Sequence, residues 1–153
     1  MRIDHIALFC RDLEVMRQFF LDYFEATSNE QYHNPRTGLR TYILSFTEGS
    51  TRLELMKQRE QSQACLNSAE SRQKSTEGQL MHRPDVADAN PSVAAIGYIH
   101  ISIAVGSKRC VDLLTRRLAD DGYPVVSGPR TTGDGYYESC ILGPEGIQIE
   151  VTE

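Results

Sequence analysis

The apolar residues of the chain follow two periods, which predict both strands and helices. Residues 3–8 and 52–56 alternate apolar and polar side chains, as strands with two different faces do. Residues 13–24 instead repeat apolar positions at helical spacing, directly after Asp12, a residue type that caps helix N-termini. The first part of the chain is therefore predicted to run from a strand through a helix to further strands.

The same succession of patterns recurs in the second part of the chain. Residues 98–103 and 147–151 alternate like strands, and residues 107–122 repeat apolar positions at helical spacing. Ser107 is the predicted N-cap of this helix, and Gly122 is its predicted end. Because one order of elements occurs twice, we interpret the chain as an internal repeat, whose halves pack together or across a dimer.

Two further strands, residues 41–46 and 137–142, complete the repeats, and each precedes a Glu-Gly turn. The predicted fold class is α+β, with two βαβββ modules that form a curved mixed-sheet cup and carry their helices on the outer face. Residues 1–57 are the first module and residues 97–153 the second, within one domain. The polar residues 58–96 between them are predicted to be a linker or a lid.

Two pairs of residues occupy matching places in the two repeats. His5 and His100 each stand in a first strand, and Glu54 and Glu150 each stand in a last strand. Strand alternation places all four on the more polar face, opposite positions rich in Ile, Leu and Val. A single His or Glu in such a place is ordinarily a solvated surface residue. The recurrence of the same pair in both repeats favours a shared function instead.

Divalent metal binding is the function that this set of side chains favours. Two neutral imidazoles and two carboxylates neutralise a 2+ ion and leave room for water in a six-coordinate shell. We therefore predict one divalent metal ion, whether Zn, Ni, Co, Mn or Fe, on His5, Glu54, His100 and Glu150. The sequence leaves open whether one chain or two subunits supply these ligands.

Charge and composition narrow the choice of partners. The formal net charge is −5 and no block of Lys or Arg is present, so nucleic acid is not expected as a partner. No apolar run has the ~20 residues of a membrane span, and the polar N-terminus does not resemble a signal peptide. We expect a cytoplasmic protein with a small-molecule substrate, in which the four scattered cysteines are free thiols.

Two arginines are candidates for binding an anionic group of that substrate. Arg130 precedes a glycine-rich segment, residues 131–135, which is predicted to be a hairpin at the mouth of the second module. Arg40 precedes the strand at residues 41–46 in the first module. For both residues, a solvated loop arginine is an equally good interpretation.

Beyond these patterns, the chain resembles the vicinal-oxygen-chelate superfamily. This group includes glyoxalase I, methylmalonyl-CoA epimerase, ring-cleaving dioxygenases, fosfomycin-resistance enzymes and bleomycin-binding proteins. The resemblance rests on the segments Asp4 to Leu8, Gly97 to Ile103 and Gly143 to Val151, the last of which joins a Pro-Gly turn to a glutamate strand. The order His, Glu, His, Glu is similar to that of the glyoxalase I and epimerase branch.

The resemblance implies a homodimeric, metal-dependent lyase or isomerase that chelates a small oxygen-rich substrate through two neighbouring oxygens. It implies Glu150 as the general base and Glu54 as its near-symmetric counterpart. Phe9 and Tyr137 are further candidates for contact with the substrate, and Phe9 stands where glutathione-dependent members commonly carry an arginine. One alternative is a non-catalytic protein of the same fold that binds an antibiotic or another small molecule. Another is a metal-dependent transferase, such as a thiol-adding resistance enzyme, whose activity depends on a thiol co-substrate.

Overall fold

The computed structural model describes residues 2–58 and 98–153 of the 153-residue chain. The predicted linker or lid, residues 58–96, lies outside the described residues except for its first position. The described residues 2–58 and 99–153 belong to one compact unit. No helix among the described residues is long and apolar enough to cross a membrane.

The first module contains one helix and a five-stranded sheet. Its elements are β1 (His5–Phe9), α1 (Leu13–Phe24), β2 (Thr27–Ser28), β3 (Tyr32–His33), β4 (Arg40–Ser45) and β5 (Arg52–Lys57). The strands are ordered β1-β5-β4-β2, and the short β3 also pairs with β4. Strand β1 runs parallel to β5, while the other pairs are antiparallel.

The second module repeats this arrangement with one helix and a four-stranded sheet. Its elements are β6 (Ile101–Ala104), α2 (Lys108–Asp120), β7 (Val125–Thr131), β8 (Tyr137–Leu142), a 3-10 turn (Pro144–Gly146) and β9 (Gln148–Thr152). The strand order is β6-β9-β8-β7, with β6 parallel to β9. The α+β class and the two repeated modules are confirmed. Within the described residues, each module keeps its own sheet.

Both helices begin at the residues that the sequence predicted as caps. The Asp12 side chain accepts hydrogen bonds from the backbone N–H groups of Glu14 and Val15, and the Ser107 hydroxyl accepts one from Cys110. These bonds satisfy N–H groups that have no partner inside a helix. Helix α2 ends at Asp120, and Gly122 follows with a φ of 92°, a conformation that suits glycine.

One apolar core spans both modules. Phe20 and Leu55 are fully buried in the first module, and Leu118 and Ile149 are fully buried in the second. The faces of β5 and β9 that carry Leu55 and Ile149 therefore lie against the helices. Strand alternation then turns the intervening residues of β5 and β9 to the opposite face of each sheet.

A glutamate of the second module binds the backbone at the start of α1. The Glu145 carboxylate accepts hydrogen bonds from the Arg11 N–H at 2.8 and 2.9 Å and from the Asp12 N–H at 2.6 Å. Charge-assisted bonds of this kind are stronger than neutral ones, and a negative charge is favourable at a helix N-terminus. Glu145 thereby fixes the second module to the first.

We expect Glu145→Ala to lower the free energy of unfolding by about 1–2 kcal/mol, because two backbone donors lose a charged acceptor. Urea titration followed by circular dichroism measures this change. Glu48→Ala is the matched control, because Glu48 precedes the corresponding turn, is exposed and makes no hydrogen bond within the described residues. The control is expected to change the free energy by less than about 0.5 kcal/mol. Equal losses in both variants would contradict the assigned role of Glu145.

Candidate functional site

Parallel strand pairing brings one His and one Glu together in each module. In the first module, Ala7 of β1 is the register partner of Glu54 in β5, so His5 lies two residues away on the same face. In the second module, Ser102 of β6 is the partner of Glu150 in β9, and His100 stands two residues before Ser102. The two pairs thus arise from the same register.

The distances within the two pairs are nearly equal. His5 Nε2 lies 3.7 Å from Glu54 Oε2, and His100 Nε2 lies 3.6 Å from Glu150 Oε2. Each glutamate side chain is 20% exposed, while His5 is 45% and His100 35% exposed. We name these pairs the first half-site (His5 and Glu54) and the second half-site (His100 and Glu150).

Each half-site has the donors and nearly the spacing that a divalent metal requires. Two ligands of one ion, with bonds of about 2.1 Å, lie roughly 3.0–3.4 Å apart in octahedral or tetrahedral geometry. The observed separations need only a small rotation of the side chains to reach this range. Among the described residues of one chain, however, no group of three or more His, Cys, Asp or Glu side chains is placed to hold a metal. One chain therefore presents two separate pairs.

The surroundings of the half-sites differ. In the first, the Asp4 carboxylate lies 3.0 Å from His5 Nδ1 and also accepts a hydrogen bond from the Arg52 guanidinium. The bonds from His5 and Arg52 lower the pKa of the Asp4 carboxyl. In the second, the Ser102 hydroxyl donates to Glu150 Oε1 at 2.6 Å. The first half-site is thus supported at its histidine and the second at its glutamate.

Glu138 is a residue of this face that the sequence analysis missed. On β8 it shares the face of Glu150, and its carboxylate lies 3.4 Å from the Arg130 guanidinium. Burial and the neighbouring Glu150 raise the pKa of Glu138, while Arg130 opposes the shift. The signal in the sequence was a lone acidic residue in an otherwise uncharged strand, Tyr137–Leu142, but its meaning depends on the pairing with β9.

An irregular segment of β7 brings Arg130 to Glu138. The register of β7 against β8 shifts on both sides of Ser127 before Arg130 pairs with Glu138. Gly128 lies inside this segment with a φ of 82°, and a Cβ there would come within 2.5 Å of the Glu138 carbonyl oxygen. Only glycine allows the two backbones to approach so closely.

The remaining candidates for substrate contact are divided between the sheet faces that carry the half-sites and the faces that pack against the helices. Phe9 shares the face of His5 and is 68% exposed. Tyr137 instead donates its hydroxyl to Asp112 of α2 at 2.7 Å, which places it on the helix side of its sheet. Arg40 has the same strand parity as Tyr42, whose hydroxyl reaches Glu14 of α1, so Arg40 also lies on the helix side. The structure therefore brings Phe9 and Arg130 to the faces of the half-sites, and neither Tyr137 nor Arg40.

Comparison with known proteins identifies a family whose sequence model matches this chain. The sequence model of the Glyoxalase/Bleomycin resistance protein/Dioxygenase superfamily matches residues 2–151. The structure is similar to the trypanothione-dependent glyoxalase I of Leishmania major, with 18% identity and a TM-score of 0.64 over 100% of this chain and 86% of that one. It is also similar to lactoylglutathione lyase from Agrobacterium tumefaciens, with 22% identity and a TM-score of 0.59 over 99% and 92% of the two chains.

A glyoxalase family protein from Enterococcus faecalis has 16% identity and a TM-score of 0.64, over 99% of this chain and 97% of that one. At these identities the structural likeness establishes the fold alone. No curated protein matches the chain significantly. The family match nevertheless spans both modules and both half-sites. It agrees with the duplicated fold and confirms the predicted resemblance, so the chain belongs to the Glyoxalase/Bleomycin resistance protein/Dioxygenase superfamily.

Proposed function

We propose that this protein is a divalent-metal-dependent lyase or isomerase of the glyoxalase type, and that it acts as a homodimer. In this proposal, the first half-site of one subunit and the second half-site of the other hold one metal ion, so that each dimer contains two such sites. The observation that carries the proposal is the recurrence of one His–Glu pair, at 3.7 and 3.6 Å, in both modules.

The positions of β1, which contains His5, and of β6, which directly follows His100, support a site shared between subunits. Both β1 and β6 are outer strands of their sheets in the described part of the chain. An outer strand presents unpaired N–H and C=O groups along one edge, where another chain can add to the sheet. Exposed apolar side chains line β1, with Ile6 43% and Phe9 68% exposed. Bringing β1 of one subunit next to β6 of another would cover these groups and unite the half-sites.

The chemistry follows from the donors on this face. A divalent ion, when bound, would polarise two neighbouring oxygens of the substrate and acidify the adjacent C–H bond. Glu150 is the proposed general base for that proton, and Glu54 is its counterpart on the opposite side of the site. Arg130, beside Glu138 at 3.4 Å, is the proposed anchor for an anionic group of the substrate. Phe9 offers apolar contact at the rim of the same face.

Two further features of the proposal concern the metal and the location. Imidazole and carboxylate donors suit Zn, Ni, Co, Mn or Fe, so the ligand set does not choose among these ions. We also propose a cytoplasmic location with no nucleic-acid or membrane partner. The net charge of −5, without a block of Lys or Arg, supports the absence of a nucleic-acid partner.

A non-catalytic small-molecule or antibiotic binding protein is the second candidate. It is favoured by one observation: within a single chain, the described residues form only pairs of metal-binding side chains. In this case the sheet faces that carry the half-sites would hold a ligand without a metal. The variant with both His5→Ala and His100→Ala would then retain ligand binding.

The shared site predicts a specific result when two inactive variants are mixed. His5→Ala/Glu54→Ala and His100→Ala/Glu150→Ala should each lose metal binding, because every site in either homodimer lacks one half. Unfolding and refolding an equimolar mixture should restore about a quarter of the wild-type metal content, since half of the random dimers are mixed and each has one intact site. Metal analysis of the gel-filtered dimer measures this content.

Each variant refolded alone is the control for that experiment. A mixture that binds no more metal than the variants alone would contradict the shared site. Wild-type protein that takes up no stoichiometric divalent ion after reconstitution would contradict the metal-dependent function itself. It would leave the binding protein as the better proposal.

Methylglyoxal with glutathione, methylmalonyl-CoA, and fosfomycin with thiols are the compounds to screen first for activity.

Replacing each of the two candidate arginines should affect the KM of an anionic substrate differently. With the most active anionic compound, Arg130→Met should raise KM by about tenfold or more, because a charge-assisted contact is lost. Arg40→Met is the matched control and should leave KM within about twofold, since Arg40 lies on the helix side. An equal rise in KM for both variants would contradict the role proposed for Arg130.

A further inference from the structure

The carboxylate just before β1 contacts the first half-site from outside. Asp4 Oδ2 lies 3.0 Å from His5 Nδ1, while the other ring nitrogen, His5 Nε2, lies 3.7 Å from Glu54. The two nitrogens of one ring thus face two different carboxylates. A neutral imidazole carries only one N–H, so one nitrogen donates and the other retains a free lone pair.

Resting on the proposed metal-dependent function, we propose that Asp4 is a positioning residue that fixes the tautomer and the orientation of His5. The Asp4 carboxylate can only accept a hydrogen bond when it is ionised, so it selects the tautomer with the proton on Nδ1. The lone pair of Nε2 is then directed toward Glu54, where a metal would bind. A carboxylate behind a metal-binding histidine also makes the ring a stronger donor.

Arg52 holds this carboxylate in place. Its guanidinium donates to the same Asp4 oxygen, and its backbone N–H donates to the Asp4 carbonyl at 3.0 Å. Arg52 is also the register partner of His5 in the pairing of β1 with β5. Backbone pairing and the side-chain bond therefore fix Asp4 relative to His5, although all three side chains are partly exposed.

Among the residues that the structure describes, no carboxylate stands behind His100 as Asp4 stands behind His5, so the second module provides an internal comparison. Ile99, an apolar residue with 66% exposure, precedes His100 as Asp4 precedes His5. There the Ser102 hydroxyl supports Glu150 instead, and Ala7 takes the place of Ser102 in the first module. A change at Asp4 should consequently affect His5 and leave His100 unaltered.

The tautomer of His5 can be measured without any metal. Long-range ¹H–¹⁵N spectra of the metal-free protein, at about pH 8 where an ordinary imidazole is neutral, distinguish the two tautomers. Four variants, each with one histidine replaced by Gln, assign the signals. In the wild type, His5 should be protonated on Nδ1. In Asp4→Ala, it should shift toward the Nε2-protonated form, while the signals of His100 remain unchanged.

Zinc affinity provides the second readout. Competition with a chromophoric chelator should show a 10–100-fold weaker affinity for Asp4→Ala, the usual effect of removing a carboxylate behind a ligand histidine. Ile99→Ala is the matched control and should stay within about threefold of the wild type. Asp4→Asn preserves the shape of the side chain and should shift both readouts in the same direction by less. If Asp4→Ala does not fold, both measurements are made on Asp4→Asn instead.

The proposal and the metal-dependent function fail in different ways. If the fraction of His5 protonated on Nδ1 is the same as in the wild type in a folded Asp4→Ala variant or, where that variant does not fold, in Asp4→Asn, then Asp4 does not select the tautomer and the proposal is overturned. A zinc affinity within about threefold of the wild type in Asp4→Ala would also overturn it. If the wild type binds no zinc, the proposed function fails, and the tautomer measurement alone decides the role of Asp4.

Discussion

Parallel pairing between the first and last strands of each module is the constraint on which the candidate site depends. These strands are distant in sequence, yet one register places Ala7 opposite Glu54 and Ser102 opposite Glu150. The buried Leu55 keeps this register, because a slip of one residue would move the apolar side chains of β5 out of the core. The same slip would turn Glu54 toward α1. Core packing therefore fixes the half-sites.

Much of this arrangement was predictable because it depends on local periodicity and repetition. Alternation within a strand determines its two faces, so the polar face of Glu150 followed from the apolar residues Ile149 and Val151 beside it. The helix starts at Asp12 and Ser107 were predictable for a similar reason, since a cap depends on one side chain and the next turn of backbone. The recurrence of the same elements then indicated the duplicated fold.

Other parts depend on pairings that no local pattern encodes. Tyr137 lies against α2 because β8 turns its odd-numbered residues toward that helix. Glu138 reaches Arg130 only through the two register shifts in β7, and the close approach at Gly128 is visible only in three dimensions. Whether one chain unites the half-sites is also a question of how whole modules pack. Strand alternation gives the direction of a side chain but not the distance between two sheets.

The two half-sites show that a structural repeat need not repeat its supporting contacts. Asp4 supports a histidine in the first, and Ser102 supports a glutamate in the second. In each pair, the pairing of the strands already fixes the backbone positions of both residues. The supporting contact then removes rotational freedom from one of the two side chains. Within the described part of the chain, Glu54 and His100 have no comparable supporting contact, so they keep freedom to adjust to an ion or a substrate. In a site assembled from one half of each kind, each side would combine a held ligand with an adjustable one. This division makes Glu54 and Glu150 chemically distinct despite their equivalent places in the fold.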